Sequence, residues 1–167
     1  QNLLLQSLTH KSNNPLNNNE KLEFLGDRVL GLIISKNLYK LFPNDKEGDL
    51  DKKLASLVNR KRCVEISNYL SLKDYVLVGD NKENSKIENK ILADTVESIV
   101  GALYLDQGLE VTEKFILNYW KRFLNEKLTI YRDPKTMLQE YSLKLHKTLP
   151  IYKVIENKGP RHKPVIK

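Results

Sequence analysis

A helix drawn through residues 19–27 (N-E-K-L-E-F-L-G-D) cannot be an ordinary surface helix. At about 100° per residue, Glu20, Glu23 and Asp27 fall within about 60° of one another, because spacings of three, four and seven share one face. Leu22, Leu25, Val29 and Ile33 line the opposite side, while Phe24, Leu30 and Ile34 border the acids themselves. A solvated helix face is polar throughout, so this acidic stripe is expected to be partly buried. Residues 93–101 (A-D-T-V-E-S-I-V-G) repeat the pattern. Asp94 and Glu97 share a face there, and Val96, Ile99, Val100 and Leu103 cover the other.

In both helices a glycine follows the last acid by four residues, Gly31 after Asp27 and Gly101 after Glu97. Glycine weakens a helix interior by roughly 1 kcal/mol relative to alanine. The matched pair is therefore expected to mark a close approach of the two helices that brings their acidic faces together. Carboxylates so placed repel, by about 4 kcal/mol per pair at ~4 Å and an effective dielectric near 20. Either some stay protonated or a cation sits among them. A single acidic pair is ordinarily a solvated face or a salt-bridge partner, but two pairs with the same flanking pattern favour a shared cation. An all-oxygen ligand set suits Mg²⁺ or Mn²⁺ better than zinc. No serine or cysteine triad competes for the chemistry.

These stretches resemble the signatures of the ribonuclease III family. The first is similar to its Asn-Glu-Lys/Arg-Leu-Glu-Phe-Leu-Gly-Asp run, and the second to its Ala-Asp-Thr-Val-Glu segment, continuing into G-A-L-Y-L-D-Q-G at 101–108. L-T-H-K-S at 8–12 matches the family's opening helix, and F-P-N-D-K-E-G-D-L at 42–50 its middle loop. The resemblance implies a Mg²⁺-dependent endoribonuclease, with Mn²⁺ able to substitute. Such an enzyme hydrolyses phosphodiesters of double-stranded RNA as a homodimer and serves in processing of rRNA precursors and other structured transcripts. It further implies Glu23, Asp27, Asp94 and Glu97 as metal ligands, Asp27 and Glu97 among them catalytic, with Glu20 and Glu47 as supporting acids. The rivals are a non-catalytic, ribosome-associated relative and a regulator that acts by binding RNA alone. Loss of a metal acid would favour the former, and none is lost.

Charge divides the chain. Residues 1–131 carry 19 Lys+Arg against 18 Asp+Glu, and residues 132–167 carry 9 against 3, so the tail holds +6 of the net +7. Phosphate attraction supplies affinity for a polyanion, although basic surface alone is more often merely solvated. The tail has pattern as well as charge. Asp133 and Pro134 read as a helix cap and first turn, Ile151 to Glu156 as a strand, residues 159–164 as a turn, and Val165-Ile166 as a returning strand. This is similar to the first half of a double-stranded RNA-binding domain, which reads duplex shape across the minor groove. By that resemblance Thr136, Gln139 and Glu140 face RNA from the first helix, and Pro160 and His162 from the minor-groove loop. The family's third strand and second helix are missing, as are its usual first residues, so the chain reads as part of a longer one. About 35 residues make too small a module for a dependable core.

The expected fold is mainly α: an all-helical ribonuclease III catalytic domain at 1–130, a linker at 131–134, and a partial α+β (α-β-β) RNA-binding domain at 135–167. Helices are expected at 1–12, 19–41, 49–59, 61–70, 87–106 and 109–128, with polar connections at 13–18 and 43–48 and a Lys/Asn/Asp-rich loop at 76–88 near RNA. Tyr119, Trp120 and Phe123 read as helix packing rather than base stacking. Phe24, Leu25, Leu30 and Ile34 offer more apolar surface than one monomer needs, which suggests a dimer through the signature helix. The single cysteine, Cys63, excludes an internal disulfide and suits a reducing cytoplasm. No apolar run reaches membrane length.

Overall fold

The computed structural model describes residues 2–79, 87–125, 134–152, 157–158 and 165–166. The chain forms two compact units, Gln1–Ile130 and Tyr131–Lys167. The first is helical: α1 (Leu3–Ser7), α2 (Glu20–Leu41), α3 (Glu47–Leu57), α4 (Arg60–Tyr69), a 3-10 turn at Leu72–Asp74, and α5 (Asn89–Asn125). Gly108, at φ 75°, interrupts α5 and divides it where two successive helices were expected. That left-handed conformation favours glycine.

The buried stripe of α2 runs Leu22, Gly26, Val29, Leu30, Ile33, Ile34 and Leu38. It packs mainly on α5, whose Ala93, Val96, Val100, Ile116, Trp120 and Phe123 complete the core with Leu57, Cys63 and Ile66. The Trp120 indole N–H donates to the Leu57 carbonyl at 3.0 Å, so its one polar atom is satisfied inside the core. The packing role expected of Trp120 and Phe123 agrees with their near-complete burial. Where α2 hands over to α3, buried Lys53 pairs with Asp45 and lies over the Phe42 ring.

Two expectations need correction at this interface. The close approach is made by Gly26 and Gly101, not by Gly31. A Cβ built on Gly26 would stand 1.7 Å from the Glu97 carbonyl oxygen, and one on Gly101 2.2 Å from that of Leu22, whereas one on Gly31 meets nothing within 4 Å. Gly26 shares the apolar face with Leu22 and Ile33, while Gly31 lies one turn beyond Asp27 on the acidic face. The apolar surface around the acids is also smaller than expected. Leu30 and Ile34 are consumed by the monomer core, leaving Phe24, 63% exposed, and part of Leu25.

Among the described residues of the segment expected as one helix over 1–12, the helix covers Leu3–Ser7 alone. Its continuation leaves the helix: Leu8 caps it, Thr9 forms an isolated parallel bridge to Leu77, and residues 11–13 turn. His10 N–H donates to the Leu77 carbonyl, Leu77 N–H to the Leu8 carbonyl, and Gly79 N–H to the Ser12 hydroxyl. The same strap accepts Asn19 N–H at the Thr9 carbonyl, 2.9 Å, which fixes the start of α2.

In the second unit, α6 (Pro134–His146) ends where Lys147 turns left-handed at φ 58°. Two short strands, β1 (Asn157–Lys158) and β2 (Val165–Ile166), pair antiparallel with Asn157 opposite Ile166 and Lys158 opposite Val165. Ile151 and Tyr152, expected to open a strand, are not in one, and 153–156 lie outside the described residues. The expected cap Asp133 lies outside them as well. No helix among the described residues is long and apolar enough to cross a membrane.

Candidate metal centre

The backbone contact at Gly26 and Gly101 sets the spacing of the acidic side chains. Glu23 follows Leu22, whose carbonyl meets Gly101, and Glu97 carries the carbonyl that meets Gly26. Glu23, Asp94 and Glu97 are all half-buried, and each offers a carboxylate oxygen within 4.8 Å of the others. Behind them Ser98 Oγ donates to the Asp94 carbonyl at 2.6 Å, with the Asn19 carbonyl at the start of α2 standing 3.3 Å from the same oxygen.

The electrostatics follow from burial and like charge. Burial raises the Glu97 carboxyl to about 7, with Asp27, Glu23 and Asp94 adding their repulsion. Burial also raises Glu23, reinforced by Asp94 and opposed by Lys90. Asp94 is raised by burial as well, against the attraction of Lys90, Arg60, His10 and Lys11. Three acids held together by the fold with their proton affinity raised form a site short of positive charge. The donors are all carboxylate oxygens, a set that fits a hard divalent cation.

The other expected acids are placed differently. Asp27 lies one turn along α2 from Glu23 and is the largest charge acting on Glu97, but its Oδ2 accepts from Arg28 Nη1 at 2.8 Å. That guanidinium stacks on Phe24, 4.2 Å from the ring centroid. Glu20 faces outward, where the hydrogen bond and charge of Lys11 at 2.7 Å lower its carboxyl. Glu47 is exposed at the start of α3 and is not one of the three clustered acids. Gln139 and Glu140 lie on α6, half-buried and exposed respectively, and Thr136 lies on the same helix. Pro160 and His162 fall outside the described residues. Sequence reasoning missed Cys63, whose thiol reaches Glu97 from α4. A separation of 34 residues across two helices leaves no periodic signal of that contact.

The raised carboxyl has a consequence for stability. An unfolded chain releases the Glu97 proton near the ordinary value of 4.5, whereas the folded unit holds it until about 7. Between these values the folded state binds the extra proton, so stability falls as pH rises through that window, and the deficit is complete above it. With divalent cations chelated, melting temperature should drop between pH 5 and pH 8, and drop less in Glu97→Gln. Parallel pH profiles for the two proteins would refute the shift.

A family model described as Ribonuclease-III-like matches residues 1–123. Ribonuclease 3 of Pelagibacter ubique is 56% identical over 168 residues, covering 100% of this chain and 76% of the relative. Ribonuclease 3 of Leptospira interrogans is 45% identical over 151 residues, covering 88% of this chain and 61% of the relative. Among solved structures, the nuclease domain of ribonuclease III from Campylobacter jejuni, described for flexibility in a region involved in dimer formation, superposes with a TM-score of 0.70. It is 43% identical and covers 72% of this chain and 86% of that one. Dicer from Pichia stipitis, at 24% identity and a TM-score of 0.58, covers 98% of this chain and 77% of that one, and shares the fold.

Proposed function

The chain belongs to the ribonuclease III family, and from that premise we propose that it is an endoribonuclease that hydrolyses double-stranded RNA with the help of Mg²⁺, Mn²⁺ being able to substitute. The observation that carries this reading is the group Glu23, Asp94 and Glu97, held on two helices in backbone contact. Asp27 is the proposed fourth ligand, and exchanging Arg28 for the cation is its part in binding. When bound, the cation supplies an acidified water and a Lewis acid for the scissile phosphate. Glu97, protonated up to about 7 without metal, gives up that proton to join the site. Glu20 and Glu47 support from outside the cluster, Glu20 by holding Lys11 at the rim.

The second unit fits the opening of a double-stranded RNA-binding domain, with a helix followed by an antiparallel pair. On this reading residues 1–130 cut, 131–134 link, and 135–167 grip the duplex through Thr136, Gln139, Glu140, Pro160 and His162. The exposed Phe24 supports a homodimer through the signature helix. Processing of rRNA precursors and other structured transcripts in the cytoplasm completes the proposal.

Incubating the protein with a long RNA duplex in Mg²⁺ or in Ca²⁺ tests it. Short duplex products are expected in Mg²⁺, with retention but little cutting in Ca²⁺. Retention without products in Mg²⁺ would establish the non-catalytic alternative. Sedimentation of the same sample reads the dimer, and a stable, active monomer would overturn that part.

A further inference from the structure

We propose that Cys63 is a positioning residue for Glu97: its buried thiol donates a hydrogen bond that fixes the carboxylate in the orientation the metal site uses. This rests on the metal-site reading above and extends it to a residue outside the acidic set. Cys63 lies on α4, fully buried, and its Sγ–H donates to Glu97 Oε1 at 3.8 Å. Among the described residues this thiol is the hydrogen-bond donor facing Glu97, whose other polar neighbours, Asp27, Glu23 and Asp94, are acids that repel it. Lys90, Arg60, His10 and Lys11 act instead on Asp94.

The chemistry suits a donor that must never compete with the metal. The thiol is fully buried and meets a carboxylate oxygen, which can only accept, so the S–H is the donor of the pair. A lysine in its place would offset one carboxylate and weaken the site's demand for a cation. A thiol supplies direction without adding charge. Groups that orient a metal ligand from behind typically change metal affinity by about 10- to 100-fold when removed, and a weak S–H donor belongs at the lower end.

The test uses the whole 167-residue chain, in which Cys63 is the one cysteine, so its S–H stretching band in the infrared is assigned without ambiguity. At pH 8 that band should shift between wild type and Glu97→Gln, because an amide oxygen accepts more weakly than a carboxylate. Calorimetric titration with Mn²⁺ in the absence of RNA should show about 10-fold weaker binding in both Cys63→Ala and Cys63→Val, with Cys63→Ser recovering most of the loss. If packing alone mattered, the valine variant, which fills the space, would bind like wild type. That result, or an S–H band unmoved by Glu97→Gln, would overturn the positioning role. A wild-type chain that takes up no Mn²⁺ would instead overturn the metal-site reading and this inference with it.

Discussion

Glu97→Gln is expected to hold duplex RNA but leave it uncut. Of the three clustered acids, Glu97 carries the largest shift, to about 7, and sits against both Asp27 on α2 and Cys63 on α4. Glutamine keeps the volume and one acceptor oxygen while removing the charge. A metal centre missing one anionic ligand should lose about 10³-fold in cleavage rate, equivalent to about 4 kcal/mol of transition-state stabilisation. RNA retention should be little changed, since phosphate attraction comes from basic surface and the tail carries most of the net charge. The metal-free variant should also melt higher, because it relieves repulsion among carboxylates that the fold forces together. A gel-shift assay in Ca²⁺, a cleavage time course in Mg²⁺ and a melting curve in chelator together read all three effects. Unchanged turnover in Mg²⁺ would refute the assignment.

The second large effect belongs to a residue with no functional group. Gly26→Ala places a methyl group where the Glu97 carbonyl already stands. The obstruction is backbone, so no side-chain rotation relieves it, and α2 must move away from α5. We expect a loss at or beyond the upper end of the ~1–3 kcal/mol associated with overpacking, lowering the melting temperature by roughly 10 °C. Mn²⁺ binding should weaken too, because the same displacement separates Glu23 from Asp94 and Glu97. Gly31→Ala is the control. With open space around it and a helical backbone, it should gain up to about 1 kcal/mol. Calorimetric melting of the pair decides the matter, and a Gly26→Ala protein as stable as wild type would show that the helices do not meet there.

Much of the site was legible because helix periodicity reports faces. Glu23, Asp94 and Glu97 share faces on their own helices, and the packing of α2 on α5 converts two shared faces into one cluster. Periodicity cannot say how far along a face two helices touch. The spacing from each last acid therefore pointed to Gly31, although Gly26 lies on the stripe shared with Leu22, Val29 and Ile33. The bridge from Thr9 to Leu77 was hidden for a related reason. L-T-H-K-S has no propensity that forbids a helix, and it is a partner 68 positions from Thr9 that draws the chain out of one. Leu30 and Ile34 border the acids in projection, yet they lie beyond Asp27 along α2, where both are buried in the core. Asp27 shows the limit at the level of one side chain, since its place on the helix was evident but its engagement with Arg28 was not.

The contact between Leu22–Gly26 and Glu97–Gly101 gives the acids no local hinge on which to open. Parting them means parting the two main helices of the unit, an excursion with nearly the free energy of global unfolding. Amide protons on both sides of the junction should therefore belong to the slowest-exchanging class, with or without cation. On the metal-site reading, an arriving cation meets three carboxylates that folding has already brought together, and binding still has to displace Arg28 from Asp27 and the proton from Glu97.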